Sequence, residues 1–226
     1  MYGFYGLVGI FVSNLIIVLV IYSIFFIVKK YNIKNYSEFI NYLVGQNKFI
    51  NYTINNIMNV FLFVSFIVMV SGFGAYFKQE FNIPIIYGAV LVSILAMTTF
   101  YKDLDGIIKI NSFLIPCLIF LIILLGLKVD VFSFKPNSLI IYSNQSWFFQ
   151  AILYACYNSI VLIPIVINLN SFIENKKQIS FISFLTFIFM SVMSVIIYII
   201  LCINSPEINF IDIPIVYIAN KLRYIL

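Results

Sequence analysis

Apolar residues run through this chain in long, nearly unbroken blocks separated by short polar segments. Six blocks are long enough to cross a bilayer: approximately Gly6–Val28, Asn59–Phe77, Ile85–Tyr101, Ile110–Leu127, Trp147–Leu169 and Phe181–Ile203. A crossing takes about 20 mostly apolar residues, because a helix rises only ~1.5 Å per residue through a hydrocarbon core of ~30 Å. Inside lipid every backbone N–H and C=O needs an internal partner, so these spans are expected to be helices. The many Ile and Val residues, which would favour strand in water, lose that meaning here. The pattern predicts an all-α fold: a polytopic membrane helix bundle of about six transmembrane helices, forming a single transmembrane domain over residues 1–226. Nothing at the N-terminus has the basic region or small-residue cleavage site of a signal peptide. After the sixth span, Asn204-Ser205-Pro206 is a stop, and Asp212-Ile213-Pro214 opens a segment running to Leu226. Pro at a first helical position with Asp before it reads as a capped helix start. Residues 212–226 are too short and too charged, with Lys221 and Arg223, to span, so they are expected to form an extracellular interfacial helix.

Composition sharpens this picture. Of 226 residues 63% are hydrophobic and 9% charged, with a mean hydropathy of +1.09. A soluble fold could not hide that much apolar surface behind so few charges. The partner this implies is the lipid bilayer. The absence of histidine excludes a Ser-His-Asp triad, a His-ligated metal and a His proton relay. Cys117, Cys156 and Cys202 lie far apart, each in a different apolar block, which encodes neither a zinc site nor a redox pair. The net charge of +5 comes from Lys and Arg scattered between apolar runs, so no nucleic-acid partner is expected. Those charges orient the chain instead. Lys29, Lys30, Lys34, Lys48, Lys102, Lys109, Lys176 and Lys177 fall on one side, and only Lys78, Lys128, Lys135, Lys221 and Arg223 on the other. The richer side is expected to be cytoplasmic, which puts the N-terminus outside.

The central thirds of the spans hold essentially no ionisable side chain, so a carboxylate relay within them is not expected. Polar side chains concentrate in the fifth span: Gln150, Tyr154, Tyr157, Asn158, Ser159 and Pro164. Pro164 cannot donate to the carbonyl of Ile160, and the small and polar run Tyr154–Ser159 lies directly before it. This predicts an interruption of the helix near Tyr157, of the kind that builds substrate and ion sites in secondary transporters. The same residues also fit a Pro-kinked helix whose Asn158 and tyrosines bond a neighbour. The second span ends in Ser71-Gly72-Phe73-Gly74-Ala75. Its GxG is no nucleotide fingerprint, since no βαβ unit surrounds it. Helix packing is one reading of Ser71, Gly72 and Gly74; room for a ligand is the other. Gly6, Gly9 and Ser13 in the first span, with Asn14 adjacent, read as packing, and Asp103 and Asp105 as solvated partners of Lys102 and Lys109.

Several of these segments resemble the uncharacterised bacterial membrane proteins of the YkvI family. The resemblance is carried by Ser71-Gly72-Phe73-Gly74-Ala75, by Glu80-Phe81-Asn82-Ile83-Pro84 with Gly88, by Ile110-Asn111 with Ile115-Pro116, by Ser146-Trp147 leading into Leu153–Asn158, and by Ile213–Ala219. It implies kinship with the amino acid–polyamine–organocation superfamily, whose LeuT-like fold pairs two inverted five-helix repeats. The first span would then be that fold's second helix, the fifth its broken sixth, and residues 212–226 the loop before its eighth. The resemblance further implies the plasma membrane of a bacterium. It leaves the fold's first helix and its last helices unmatched, so a truncated or partial form, or a missing companion segment, is expected.

The function expected from these readings is kinship to cation-coupled secondary transporters of amino acids or similar small solutes. Tyr154, Tyr157 and Asn158 would shape the pocket, with Ser71, Gly72 and Gly74 opposite, and sodium is a possible coupling cation. Independent transport by this chain is not expected, because alternating access needs both repeats. A rival expectation is a non-transporting membrane subunit, like the receptor components of spore-germination complexes, binding a small ligand or a partner helix. No paired carboxylates and no activated nucleophile suggest an enzyme, and no metal site is expected.

Overall fold

The computed structural model describes residues 4–45, 47–100, 103–131, 146–205, 207–208 and 210–223. They form α1 (Phe4–Tyr31), α2 (Tyr36–Val44), α3 (Lys48–Phe81), α4 (Ile85–Phe100), α5 (Asp103–Lys128), α6 (Trp147–Leu169), α7 (Lys176–Ile203) and α8 (Pro214–Arg223), with a 3-10 turn at Asn170–Phe172. The chain is all-α and polytopic, as its apolar blocks require. Among the described residues five helical segments are long and apolar enough to cross a membrane. The expected third span is α4, whose 16 residues reach only about 24 Å. The expected ends at Tyr101 and at residues 224–226, Lys102, Lys135 and Pro206, and the side chains of Asp103 and Asp105, lie outside the described residues.

Local chemistry explains the helix ends. Lys29 and Lys30 occupy the last turn of α1, where the helix dipole favours cations. Asn32 follows at φ 53°, and the Ile33 N–H returns to the Val28 carbonyl at 3.0 Å, closing the helix with a left-handed residue. Helix α2, which hydropathy alone does not announce, is set by a capping box. Asn35 Oδ1 accepts from the Glu38 N–H at 2.9 Å, while Glu38 Oε2 accepts from the Lys34 N–H at 2.8 Å. Gly45, at φ 86°, ends it. Asn47 then caps α3 through the N–H groups of Phe49 and Ile50, so that α3 begins well before the apolar block.

The helices group into two compact units. One holds α1, α2, α3 to Phe63, α6 and α7 to Val195; the other holds α3 from Val64, α4, α5, the end of α7 and α8. In the first, α1 and α6 pack along their whole length. Tyr5 stacks on Trp147 with ring centroids 5.7 Å apart at one end, and Lys29 Nζ donates to the Ile173 carbonyl at 2.5 Å at the other. The two helices therefore run parallel. Ala151, Ala155 and Ser159 on α6 are buried, as are Gly9 and Ser13 on α1. Small residues every fourth position let the two backbones approach, which is how helices associate where lipid is as apolar as leucine. The core continues through Ile17, Ile21, Ile24, Phe25 and Val28 to Phe39 and Ile40 of α2.

In the second unit α3 and α4 form a tight hairpin. Asn82, at φ 55°, ends α3, its N–H bonded to the Lys78 carbonyl at 3.1 Å. A Cβ on Gly74 would sit 2.7 Å from the Ile85 carbonyl oxygen, and one on Gly88 2.8 Å from Phe77 Cβ. Helix α8 covers a small core of Ile200, Ile208 and Ile218, packed against Leu125 and Val129 of the α5 end. It starts at Pro214, as the sequence predicts, and it is fastened to the end of α3. The Gln79 side-chain amide bonds both backbone groups of Ile213, and Glu80 accepts from Asn220 Nδ2.

Candidate functional site

Helix α6 carries the polar residues, and it corrects the expectation built on them. It is continuous from Trp147 to Leu169, with Pro164 inside it, so no interruption falls near Tyr157. The physical reason is twofold. A single proline removes one backbone hydrogen bond, that of the Ile160 carbonyl, and a membrane helix tolerates one such loss where neighbours support it. The run that looked weak supplies that support: Ala155 is wholly buried and Ser159 nearly so in the seam against α1. Ala155 and Ser159, the buried small residues of that run, therefore serve helix packing, whereas Cys156 is exposed.

The remaining side chains of that run form a flank beside the seam. Gln150, Tyr154, Tyr157 and Asn158 recur at helical spacing. Tyr154 and Tyr157 are 54% and 41% exposed, and Asn158 is half-buried. Asn158 Nδ2 donates to the Tyr154 carbonyl at 2.8 Å, one turn back along its own helix. Tyr157 meets Phe61 of α3 edge-on, with ring centroids 5.3 Å apart. The flank therefore offers two phenol groups and the free oxygen end of an amide, arranged on a rigid helix rather than around unwound backbone.

Ser71, Gly72 and Gly74, expected opposite this flank, belong to the other unit. Ser71 and Gly72 are exposed, and a Cβ on Gly72 would meet nothing within 4 Å. Gly74 is buried against Ile85, which its missing side chain admits. Among the described residues no group of three His, Cys, Asp or Glu is placed to hold a metal ion. The carbonyl that α6 leaves without its regular donor is that of Ile160, four residues before Pro164.

Sequence reasoning set Asn14 beside the packing stripe of α1 but gave it no partner; it is a nearly fully buried amide. Its Nδ2 donates to Ser191 Oγ on α7 at 3.4 Å, a polar link between two otherwise apolar helices. An asparagine in the middle of an apolar block was the available signal, since polar groups inside membranes seek partners on neighbouring helices.

The chain is similar to the uncharacterized membrane protein YkvI of Bacillus subtilis (strain 168), with 26% identity over 180 residues that cover 75% of this chain. The aligned part is 50% of YkvI, so the chain spans about half the length of the curated relative it matches. No family model matches the chain, and no solved structure matches it.

Proposed function

We propose that this membrane protein is related to cation-coupled secondary transporters of amino acids or similar small solutes, and that the flank of α6 carrying Tyr154, Tyr157 and Asn158 lines the solute path. One observation carries the reading. These hydroxyl and amide groups stand at membrane depth on a face that α1 leaves open, with both tyrosines two-fifths or more exposed. Polar side chains at that depth are costly against lipid and normally face a cavity or another protein group. Phenols and an amide oxygen suit the ammonium and carboxylate of a zwitterionic solute, and a monovalent cation such as sodium would be the coupling ion. The parallel packing of α1 and α6 supports the topology drawn from the charges, in which the first and fifth spans run the same way from outside to inside. The same reading puts the chain in a bacterial plasma membrane, which its likeness to a Bacillus membrane protein supports, and assigns it no enzymatic chemistry.

The continuity of α6 favours a second reading: a non-transporting membrane subunit whose same flank binds a partner helix or a ligand without a translocation cycle. One experiment separates the two. The purified chain in lipid nanodiscs is titrated with a radiolabelled amino-acid mixture, with and without sodium. The transporter reading expects saturable, sodium-enhanced binding that Tyr157→Ala and Asn158→Ala each weaken at least about tenfold. Absence of solute binding, together with a co-purifying membrane protein released by the same substitutions, would replace it with the second reading.

A further inference from the structure

A groove of about 370 Å³ lies between α1, α2 and α6, at the lysine-bearing end of α1. Ile16, Leu19, Ser23 and Ile27 form its floor, and Phe39 and Leu43 of α2 form one wall. Ser23 is the polar side chain among its lining residues, and its hydroxyl donates to the Leu19 carbonyl at 2.7 Å. What the groove presents is therefore hydrocarbon. From Ile27 to Ile16 it follows α1 for about 16 Å, half of a ~30 Å hydrocarbon core and so the depth of one leaflet.

The mouth of the groove is basic. Beyond Ile27 the chain reaches Lys29, Lys30 and Lys34 within seven residues. Lys29 is drawn inward to the Ile173 carbonyl, whereas Lys30 and Lys34 are exposed. The left-handed turn at Asn32 and the capping box of α2 fix the backbone between them. Two acids lie at this end: Glu38, whose carboxylate oxygens are engaged by the Lys34 N–H and by Asn35 Nδ2, and Glu174, exposed next to the Ile173 that Lys29 reaches. Lys30 Nζ lies 5.1 Å from the Tyr31 ring centroid and still faces solvent. An apolar slot of leaflet depth opening under two exposed ammonium groups is complementary to one chemistry: a lipid with an anionic head and a long acyl chain.

We propose that this groove is a binding site for the acyl chain of an anionic phospholipid, with Lys30 and Lys34 at the phosphate. Juxtamembrane lysines attract anionic headgroups, and the slot turns that general attraction into a place. Helix α2 is then the element that the lipid holds against α1. The proposal stands apart from the role of the α6 flank.

The test uses the full chain in nanodiscs of four parts phosphatidylcholine to one part phosphatidylglycerol, released into detergent and read by native mass spectrometry. The expected result is one retained phosphatidylglycerol, favoured over phosphatidylcholine about tenfold after correction for composition. Lys30→Gln with Lys34→Gln should erase the headgroup preference, and Ser23→Phe should remove the bound lipid of either kind. As a check independent of how Ser23→Phe folds, Leu43→Trp in a Trp147→Phe background should be quenched more by acyl-brominated phosphatidylglycerol than by brominated phosphatidylcholine. Equal retention and equal quenching by both lipids would overturn the proposal. So would a dimer that loses lipid, since the groove would then receive a second copy of this chain.

Discussion

The side-chain amide of Gln79 holds both backbone groups of Ile213: Nε2 donates to the carbonyl at 3.2 Å, and Oε1 accepts from the N–H at 3.0 Å. A primary amide has the same donor–acceptor pair as a peptide group, so it docks the start of α8 as a strand neighbour would. Tyr217 N–H also returns to this carbonyl at 3.3 Å, opening the helix at the same residue. Gln79→Ala removes both bonds and should lower stability by about 1 to 3 kcal/mol. Gln79→Glu keeps the acceptor, loses the donor and sets a second carboxylate beside Glu80. Both variants should show a lower melting temperature in detergent and faster proteolysis between Ser205 and Asp212. Unchanged cleavage there would show that α8 does not depend on Gln79.

Gly72 and Gly74 are two residues apart and should respond oppositely to the same change. A Cβ at Gly74 would come 2.5 Å from Ile85 Cγ2 and 2.7 Å from the Ile85 carbonyl oxygen, whereas one at Gly72 meets nothing within 4 Å. Gly74→Ala must push α4 away and should cost about 1 to 3 kcal/mol. Gly72→Ala gains helix propensity and should be neutral or stabilising by up to about 1 kcal/mol. Thermal unfolding of the two variants side by side decides it. Equal destabilisation would mean that Gly72 faces something besides lipid, as a ligand-binding role for that residue would require.

The small-residue seam between α1 and α6 shows what was legible in the sequence and what was not. The six apolar blocks announced six helices, because their length against the bilayer leaves no other structure; five of those helices are long enough to cross and the third, α4, is shorter. The stripe of Gly9 and Ser13 was legible as packing for a similar reason: small side chains at that spacing have one common use in lipid. Ala151, Ala155 and Ser159 carried the same signal at four-residue spacing, but Pro164 and the neighbouring tyrosines drew attention to helix breaking instead. Local propensity is a weak guide inside a membrane, where the cost of unpaired backbone outweighs it. Helix α2 was missed because its evidence is a capping box and a terminal glycine rather than hydropathy. The polar flank of α6 was legible residue by residue; the continuous helix that presents it was one of the two readings those residues left open.

The same seam gives a graded prediction. A Cβ on Gly9 would lie 3.7 Å from both Ala151 Cβ and the Trp147 ring, an ordinary contact, so Gly9→Ala should be tolerated. Ala155 is fully buried, and Ala155→Leu must part the helices at about 1 to 3 kcal/mol. Melting curves should therefore separate the two variants clearly. An Ala155→Leu protein as stable as the parent would mean that α1 and α6 are not in contact there.

On α8, Lys221 pairs with Glu207, and that hydrogen bond holds the ammonium above the ordinary lysine range. A raised folded value contributes stability that is present below the unfolded pKa and is lost as pH rises through the folded one. Stability should therefore be flat through neutral pH and fall only in the alkaline range, above about pH 10. Both side chains are largely in solvent, so the effect should be small and suppressed by salt. Glu207→Gln should flatten the alkaline slope of a melting-temperature profile and leave the neutral plateau in place. A drop at neutral pH would show that Glu207 has a second partner.

Pro164 separates a structural from a functional use of α6. In the continuous helix it costs the Ile160 carbonyl its donor, and the residue itself is partly buried. Pro164→Ala restores that bond and should raise stability by about 1 to 3 kcal/mol, with the low end expected where neighbours already compensate. If the Ile160 carbonyl serves a solute or cation, the same substitution should abolish sodium-enhanced amino-acid binding while the protein melts at a higher temperature. If the flank only docks a partner helix, stability should rise with partner binding unchanged. A proline whose removal destabilises the protein would mean that the helix is bent at this point to meet a neighbour, and that the bend contributes more than the missing hydrogen bond costs.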